Sequence, residues 1–548
     1  MSDEKKGVTK VDFVNDEERL DSYKRDIIND ADDQSDQRDK ANQDFRFIHV
    51  PGGMWEDFLE TEFSNRTKLE FDQTSDFINR YLGEWSNNRM GVEYKPDDMK
   101  TSDEDAELLN GIFRADFRDE SGKLSIDNAV QEQVICGYGC LKVGTHFIDE
   151  EDPDNENQRI DFRPITNAYN TVYWDRAAKR IDKRDARRCT VLEVFTKDSF
   201  EAEYKDMSAV SAYTPHTRSY NDFTTSSKAA IYVATRYDIV RKKTKFFVYS
   251  NSKTREIESY IEEDHKLIEA ELKADQFRKR IRTRVIIHQT VEKSVFSGEK
   301  FIHKPTRIPG KLIPIIPFYA YRSYVDGVER YYGLVRKLID PQRLLNMQMS
   351  QLAENSASSG TEIPIFDPDQ MSDNIASLWA NRNNKPYMLA KALTNPKTGE
   401  IIQHGPVGYL KPPVLDGATA ALLQIVPQHI QQITGGAPQD TVDPDASGKA
   451  ILALQKRENM KTATIMDNAR SSIEWMGEVY QSIASEIYDT QRIMRLIGAD
   501  GAQTQTQLFK EIMDEQTGVI IQGNNLRGKR FKAYSDVGPQ YETMRADC

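Results

Sequence analysis

The sequence lacks any run of about eighteen uncharged apolar residues, the length that a membrane-spanning helix requires. Its amino terminus, "MSDEKKGVTKVDFVNDEERL", has no apolar core of the kind found in secretory signal peptides. The four cysteines, Cys136, Cys140, Cys189 and Cys548, are too few for a disulfide framework in 548 residues. Cys136 and Cys140 form a C-x3-C pair without a second pair to complete a zinc site. We therefore predict a cytosolic chain with no membrane span, no disulfide framework and no metal site.

Catalytic signatures are also missing. The chain has no G-x-S-x-G, H-E-x-x-H, G-x-G-x-x-G or C-x-x-C motif, and its eight histidines form no cluster. One stretch, "ITGGAPQDTVDPDASGKAILALQKREN", combines paired glycines, a Gly-Lys and a helical run. A phosphate-binding loop would need a glycine where Asp443 stands and a hydroxyl where Ala450 stands. The sequence therefore favours a structural or assembly role, without a cofactor, over an enzyme.

Negative charge exceeds positive charge along the chain. There are 87 Asp and Glu against 74 Lys and Arg, which gives a formal net charge of −13 and a pI near 5.4. A protein with this balance attracts phosphate backbones poorly as a whole. Its length and its mean hydropathy of −0.67 predict at least two compact units with a large wetted or partner-facing surface.

The amino-terminal part predicts helices followed by a hairpin. The first forty residues hold thirteen Asp or Glu against eight Lys or Arg and almost no apolar periodicity before Phe45, so we predict a solvated helix or arm. Residues 54–85 carry apolar side chains at helical spacing and predict the start of a helical bundle. Two helices are predicted over residues 103–133, and residues 138–148 and 159–165 predict a β-hairpin. Its acidic tip lacks the glycine and the terminal glutamate of a calcium loop, so a solvated tip is favoured over a cation site.

Residues 138–318 are predicted to be mostly β-structure, with one charged helix near residues 257–281. The cluster "RKRIRTR", residues 278–284, is the one basic cluster that could touch nucleic acid. We favour a cationic helix end that runs into a strand, because cations suit the carboxyl end of a helix and no aromatic residues are interleaved. The predicted fold class is α+β.

Long helices dominate the region after residue 313. Residues 333–360 predict a helix of about 25 residues, followed by short strands punctuated by prolines. A second helix is predicted from a cap at Asp416, through a kink at Pro427, to a stop at Gly435 and Gly436. An acidic loop then leads into a third helix over residues 450–488. The predicted buried stripe of this third helix is Ala469, Ile473, Met476, Tyr480, Ile483 and Ile487.

Five segments resemble one protein family. They are "IDNAVQEQVICGYGCLKVGTHFID", "VYWDRAAKRIDKRDARRCTVLEVF", "RLLNMQMSQLAE", "GEVYQSIASEIYD" and "AYSDVGPQYETM". They are similar to segments of the portal proteins, or head-to-tail connectors, of short-tailed double-stranded DNA phages. The similar segments are collinear between about residues 20 and 544, and the W-D pair with D-K-x-D-A-R-x-C-T is the most specific run.

The resemblance implies an α+β portal-type fold with a wing, a two-helix stem, a small α/β clip, a channel loop, a long helix and the start of a helical crown. Residues 1–329 would form the wing, 330–356 the descending stem helix, 357–411 the clip and 412–434 the ascending stem helix. Residues 435–447 would form the channel loop and 448–490 the long helix. Residues 491–548 would return to the wing and begin the crown, near the final "RADC".

The resemblance also implies a function and partners. Twelve copies would form a ring at one capsid vertex of the virion, after assembly in the host cytoplasm. Double-stranded DNA would pass through the ring during packaging and ejection, without sequence-specific binding. The implied partners are the terminase large subunit, then tail adaptor or head-completion proteins, and the major capsid and scaffolding proteins.

Candidate site residues follow from the same resemblance. The channel-loop candidates are Gly435, Gly436, Gln439, Asp440, Asp443, Asp445 and Lys449. Lys449 could make a weak phosphate contact, although a solvated lysine at a helix start is the favoured alternative. Arg382, Lys385 and Lys391 are candidate partner contacts in the clip, and loop residues that touch nothing are an equal alternative. Two other functions stay open: a scaffold or adaptor ring without DNA passage, and a metal-dependent nucleic-acid-processing enzyme.

Overall fold

The computed structural model describes most of the chain. The described residues are 16–56, 66–98, 101–149, 157–204, 230–251, 257–261, 278–297, 300–358, 363–371, 375, 379, 388–389, 391–395, 397–410, 417–434, 448–498, 501–513, 520–524, 526 and 529–536. The chain divides into two units, as predicted from its length. Unit 1 comprises Met1–Phe45, Ile78–Arg336 and Thr462–Cys548, and unit 2 comprises Arg46–Phe77 and Lys337–Lys461. Helices and strands are mixed, which agrees with the predicted α+β class.

The elements are as follows. The helices are α1 (Asp16–Asp33), α2 (Ser35–His49), α3 (Thr74–Asn87), α4 (Asp103–Asp119), α5 (Gly122–Cys136), α6 (Ala168–Thr171), α7 (Lys197–Glu203), α8 (Val335–Ser358), α9 (Gly417–Thr434) and α10 (Gly448–Ile487). The strands are β1 (Gly91–Pro96), β2 (Tyr138–Phe147), β3 (Gln158–Ile165), β4 (Val172–Trp174), β5 (Arg188–Thr196), β6 (Ala230–Asn251), β7 (Ile257–Ile261), β8 (Arg278–Ser297), β9 (Lys300–Ile308), β10 (Ile315–Tyr319), β11 (Tyr321–Val325), β12 (Val328–Tyr332), β13 (Ile363–Ile365), β14 (Leu393–Thr394), β15 (Ile401–Gln403), β16 (Gly408–Leu410), β17 (Ile493–Ile497), β18 (Gln503–Gln507), β19 (Lys510–Met513), β20 (Ile520–Gly523) and β21 (Phe531–Asp536).

Antiparallel pairing organises unit 1. Its largest sheet has the order β4-β5-β6-β8-β9, with β7 paired to β6. A second sheet has the order β10-β2-β3, and the predicted hairpin β2–β3 is confirmed. β1 pairs with β21, so the second and third chain segments of unit 1 meet in one ladder. Gly137 ends α5 with a left-handed φ of 95°, where a side chain would collide with the backbone of Tyr332.

Helix α1 packs on the largest sheet, so the prediction of a solvated arm was wrong. Leu20, Tyr23, Ile27 and Ala31 recur at spacings of three and four residues, and each is at most 3% exposed. They join one apolar cluster with residues of β4, β5, β6 and β8. The stripe is only one residue wide per turn. Because acidic residues surround it, the amino-acid composition alone does not reveal it.

The acidic residues of α1 have cationic partners in the same sheet. Asp30 lies 3.1 Å from Arg188 through both carboxylate oxygens, and Asp26 lies 2.9 Å from Arg236. Arg236 also stacks over the ring of Tyr23, at 3.8 Å from the centroid. The negative charge of the amino-terminal region is thus partly neutralised within unit 1.

Strands β6 and β8 form a long antiparallel ribbon. Their pairing runs from Ala234 opposite Phe296 to Asn251 opposite Arg278. The predicted charged helix near residues 257–281 was wrong where it can be compared, because residues 257–261 are β7 and residues 278–281 begin β8. Residues 262–277 lie outside the described part. The basic cluster 278–284 is therefore part of a strand and not a helix end.

Helix α10 buries the stripe predicted from its sequence. Its members Ala469, Ile473, Met476, Tyr480, Ile483 and Ile487 are all at most 9% exposed.

Tyr480 and Tyr488 donate to the carboxylate of the fully buried Asp116, whose other oxygen accepts from Arg159 at 2.8 Å. The helix ends at Ile487, slightly before the predicted 490. The described residues that follow, up to Asp536, form strands β17 to β21, so a helical crown is not found among them.

Unit 2 contains most of α8, all of α9 and four short strands. β13 pairs with β16 and β14 pairs with β15, both antiparallel. Helix α8 begins at Val335, after strand β12, and so later than the predicted residue 330. Helix α9 continues through Pro427 to Thr434. Residues 66–73 are non-helical, so the predicted helical run over residues 54–85 is interrupted before α3.

Candidate functional site

A row of polar side chains on α8 holds the non-helical segment 66–73, here called the strap. Ser350 Oγ accepts from Leu69 N at 3.0 Å, and Asn346 Oδ1 accepts from Phe71 N at 3.0 Å. The row, called the polar ladder below, consists of Gln342, Asn346, Ser350 and Glu354. At its ends, Gln342 accepts from Gln73 N and Glu354 accepts from Thr67 N.

The ladder works because two repeats nearly coincide. Side chains four residues apart on a helix are separated by about 6.0 Å along its axis. N–H groups two residues apart in an extended chain are separated by about 6.6 Å and share one side. Every fourth helix residue can therefore meet every second strap amide. Gln342, Asn346 and Ser350 are at most 1% exposed, so these hydrogen bonds replace water that the buried groups have lost.

Arg343 anchors the chain just before the strap. Its guanidinium donates to the carbonyl oxygens of Met54 at 3.1 Å and Glu56 at 2.7 Å. The same group lies 5.9 Å from the ring centroid of Phe47. The segment "RLLNMQMSQLAE" thus contains Arg343 and three of the four ladder residues, which is a structural reason for these polar residue types.

The short strands of unit 2 are joined through one buried amide. Gln370 Nε2 donates to the carbonyl oxygens of Gly405 at 2.9 Å and Lys391 at 3.2 Å, and Gln370 Oε1 accepts from Asp367 N at 3.1 Å. Gln370 is fully buried, so the amide fixes the turn after β13 to the loop between β15 and β16.

Unit 2 also exposes large apolar side chains. Ile402 is 61% exposed, Ile401 55% and Tyr409 54%, and Ile425 on α9 is 56% exposed. Further exposed members between residues 363 and 425 are Ile365, Leu389, Val407 and Leu422. A concentration of exposed apolar side chains in one region is typical of a surface that another chain covers.

In unit 1, the run D-K-x-D-A-R-x-C-T forms a structural clamp. Lys183, which is buried, donates to Ala178 O at 3.1 Å and to both carboxylate oxygens of Glu329. Asp185 accepts from the backbone N–H groups of Lys179 and Arg180. The clamp fastens the β4–β5 loop to the β11–β12 hairpin and presents no free nucleophile.

Burial perturbs the charged groups around this clamp. It lowers the pKa of Lys183, and the Glu329 carboxylate opposes that change. It raises the pKa of Asp30 to about 6, although the Arg188 guanidinium acts in the opposite direction. Asp30, Lys183 and Glu329 line a small cavity with Asp33 and Asp175. Among the described residues, no group of three or more His, Cys, Asp or Glu has an arrangement that could hold a metal ion.

The structure reaches few of the residues predicted for the site. The loop residues Gly435, Gly436, Gln439, Asp440, Asp443 and Asp445 lie outside the described residues, as do Arg382 and Lys385. Lys449 is the second residue of α10, and only its backbone is described. Lys391 is exposed and its carbonyl oxygen accepts from Gln370. The predicted site therefore remains a prediction, because only Lys391 and the backbone of Lys449 lie in the described part of the chain.

Sequence reasoning missed the polar ladder and the exposed apolar side chains of unit 2. The spacing of Gln342, Asn346, Ser350 and Glu354, four residues each time, was a signal for the ladder. Polar residues at that spacing also describe an ordinary wetted helix face, so the signal alone could not decide.

None of the helices in the described part of the chain combines the length and apolarity that a bilayer span requires.

Comparison with known proteins identifies the family. Residues 24–547 match the family model described as Phage P22-like portal protein. This chain belongs to that family. A curated relative named Portal protein, from Acyrthosiphon pisum secondary endosymbiont phage 1, is 34% identical over 518 residues, which cover 93% of this chain and 71% of the relative. The resemblance to phage portal proteins is thereby confirmed over nearly the whole chain, and "RLLNMQMSQLAE" and D-K-x-D-A-R-x-C-T lie inside the matched region of this portal family member.

Proposed function

We propose that twelve copies of this chain form a ring at one capsid vertex of a phage virion, and that double-stranded DNA passes through the ring during packaging and ejection. The ring acts passively. The terminase large subunit docks on it first, and tail adaptor or head-completion proteins follow. The major capsid and scaffolding proteins surround it during assembly in the host cytoplasm. Family membership supports the portal role, and the ring, its stoichiometry and its partners are the proposal.

The exposed apolar side chains of unit 2 are the observation that supports the formation of a ring. Ile401, Ile402 and Ile425 each leave more than half of their surface in water. Burying such side chains against a second copy stabilises association by about 25 cal/mol per Å² of apolar surface. Closed rings of identical subunits use such patches without leaving them exposed. In this proposal, α8 and α9 form the stem and residues 363–410 belong to the clip.

Native mass spectrometry with negative-stain imaging tests the ring. We expect the purified chain to form rings of about twelve subunits with a central hole wide enough for a duplex. The double variant Ile401→Asp/Ile402→Asp should reduce the ring fraction, because each new carboxylate would be buried without a partner. The matched control is Thr504→Asp/Gln505→Asp, which makes the same change in charge at two consecutive exposed strand residues of unit 1 and should assemble normally. An Ile401→Asp/Ile402→Asp variant that assembles as well as this control contradicts the interface.

A deletion tests DNA passage separately. Removing residues 436–445 takes out most of the predicted channel loop and should leave the ring intact. The amount of nuclease-protected DNA in packaging reactions should fall. Loss of the ring itself would make the segment structural and contradict its assignment to the channel. A ring without a central hole would favour a scaffold or adaptor ring, and magnesium-dependent nuclease activity would favour an enzyme.

A further inference from the structure

The outer half of the β6–β8 ribbon concentrates positive charge. We define the outer ribbon as residues 241–251 of β6 and 278–288 of β8, which pair with each other. These residues include nine Lys or Arg and no Asp or Glu, in a chain whose formal net charge is −13. The basic cluster 278–284 therefore belongs to a larger cationic surface, because the cross-strand partner adds Arg241, Lys242, Lys243 and Lys245.

Most of the described side chains of the outer ribbon are exposed, although Val248 and Tyr249 on β6 are buried. All six side chains from Arg280 to Val285 are exposed, and they alternate between the two faces. The inner half differs, since residues 231–237 of β6 are all buried. One outer face carries Lys242, Arg282 and Arg284. The opposite face carries Arg241, Lys243 and Lys245, together with the exposed aliphatic side chains Ile281, Val285 and Ile287.

The sequence keeps this region basic even when the connection between the strands is counted. Residues 252–277 contain eight Asp or Glu against four Lys or Arg. The whole stretch 241–288 therefore has thirteen Lys or Arg against eight Asp or Glu, a net charge of +5. A ribbon that stays positive within a strongly acidic protein attracts polyanions locally while the rest of the surface repels them.

We propose that the face of the outer ribbon formed by Lys242, Arg282 and Arg284 binds the phosphate backbone of double-stranded DNA without reading its sequence. Alternate residues of a strand are about 6.8 Å apart and lie on the same face, so Arg282 and Arg284 can each contact a different phosphate of one DNA strand.

An acidic protein segment is the weaker candidate for this face. Half or more of the hydrogen bonds in protein–DNA complexes go to phosphate and sugar oxygens, and both Lys and Arg donate them, whereas lysine is depleted at protein interfaces. The contact lies on unit 1, outside the residues proposed for the channel, and the proposed passage of DNA does not require it.

Salt-dependent DNA binding tests this inference. Fluorescence anisotropy would follow the assembled protein on two 30-bp duplexes of unrelated sequence, between 50 and 300 mM NaCl. We expect equal affinities for the two duplexes. The variant Lys242→Gln/Arg282→Gln/Arg284→Gln should bind at least about tenfold more weakly near 0.1 M salt. Its slope of log affinity against log salt should fall by up to about 2.7, or about 0.9 for each lost phosphate contact.

Two control variants make the result specific. Lys123→Gln/Lys397→Gln/Lys532→Gln removes the same charge from exposed positions elsewhere and should keep the wild-type slope. Ile281→Thr/Val285→Thr/Ile287→Thr changes only the opposite face and should also bind normally. An unchanged slope in the Lys242 variant would overturn the proposal, as would an equal loss in either control. Binding of poly-glutamate but not of the duplexes would assign the ribbon to an acidic protein partner instead.

Native mass spectrometry of the same variants separates this inference from the proposed function. The Lys242 variant should form rings as the wild type does, because none of its substitutions lies in unit 2. If the wild type forms no ring, the proposed function fails, while the anisotropy result still decides whether the ribbon binds DNA.

Discussion

Helices α8 and α10 bury opposite kinds of surface. In unit 1, α10 covers an apolar stripe in which Ile473, Met476 and Tyr480 are fully buried. In unit 2, α8 buries Gln342, Asn346 and Ser350 to the same degree, and their partners are backbone groups of the strap. Both solutions satisfy the rule that a buried group must be apolar or hydrogen-bonded.

The difference lies in what each surface specifies. Apolar burial supplies most of the stabilisation but is non-directional, so neighbouring registers cost little more than the correct one. A hydrogen-bond ladder contributes less per contact but penalises a shift heavily, because a displaced strap would leave buried donors without acceptors. In this protein, α10 fastens a core and α8 fixes the position of one segment. Single substitutions on each helix can test this distinction.

Ile473→Ala should have the largest effect, because it opens a cavity in the stripe of α10. Large-to-small substitutions at fully buried sites cost about 2–5 kcal/mol. We expect a lower melting temperature and faster hydrogen–deuterium exchange in peptides from α10. Ser471→Ala, at an exposed position two residues earlier, is the control and should leave both unchanged. If Ile473→Ala melted with its control, the stripe would not carry the stability assigned to it.

The sequence predicted the apolar part of this comparison and missed the polar part. The stripe of α10 repeats at helical spacing, and the β2–β3 hairpin alternates, because in both cases one face is buried among apolar neighbours. Gln342, Asn346 and Ser350 carry the same spacing, but polar residues at helical spacing normally face water. Here they bond to the strap instead, and the strap is about 270 residues away in sequence.

The errors in unit 1 have the same physical origin. The outer ribbon exposes most of its described side chains on both faces, so its sequence has little apolar alternation by which a strand could be recognised. Helix α1 hides a narrow apolar stripe among acids whose arginine partners, Arg188 and Arg236, lie on distant strands. The loop and clip residues proposed for the candidate site rest on family resemblance, because a channel or docking function in an assembly leaves no motif in a single chain.

Asn346→Leu should have a smaller effect, confined to the strap. The substitution keeps the side chain's approximate volume but leaves Phe71 N without its acceptor, and the Gln342 amide keeps only one of its two acceptors, Phe71 O. An unsatisfied buried donor costs about 1–3 kcal/mol. Exchange of the amides of residues 67–73 should accelerate about tenfold or more, with little change in α8 itself. Gln351→Leu, on the same helix but outside the ladder, is the control. If both variants accelerate strap exchange equally, hydrophobicity and not the ladder would explain it.

Per pH unit, the smallest expected effect concerns a buried acid that uses the same backbone hydrogen bonding. Glu132 accepts from Asn167 N at 2.7 Å and Ala168 N at 2.9 Å, as Glu354 accepts from Thr67 N in the ladder. Glu132 is 5% exposed, and burial raises its pKa to about 8, although these N–H groups act in the opposite direction.

The pH dependence of Glu132 has a definite sign. Because its pKa is higher in the folded chain than its ordinary value of about 4.5, the folded state holds one more proton between these values. Stability therefore falls as pH rises from about 4.5 to about 8, by at most about 1.4 kcal/mol per pH unit from this group. Glu132→Gln cannot ionise and should lack this contribution. The difference in local exchange between the two proteins, measured at residues 167 and 168 from pH 5 to 7.5, should change with pH in the direction that weakens the wild type. A constant difference across this range would mean that Glu132 is already ionised and that hydrogen bonding outweighs burial here.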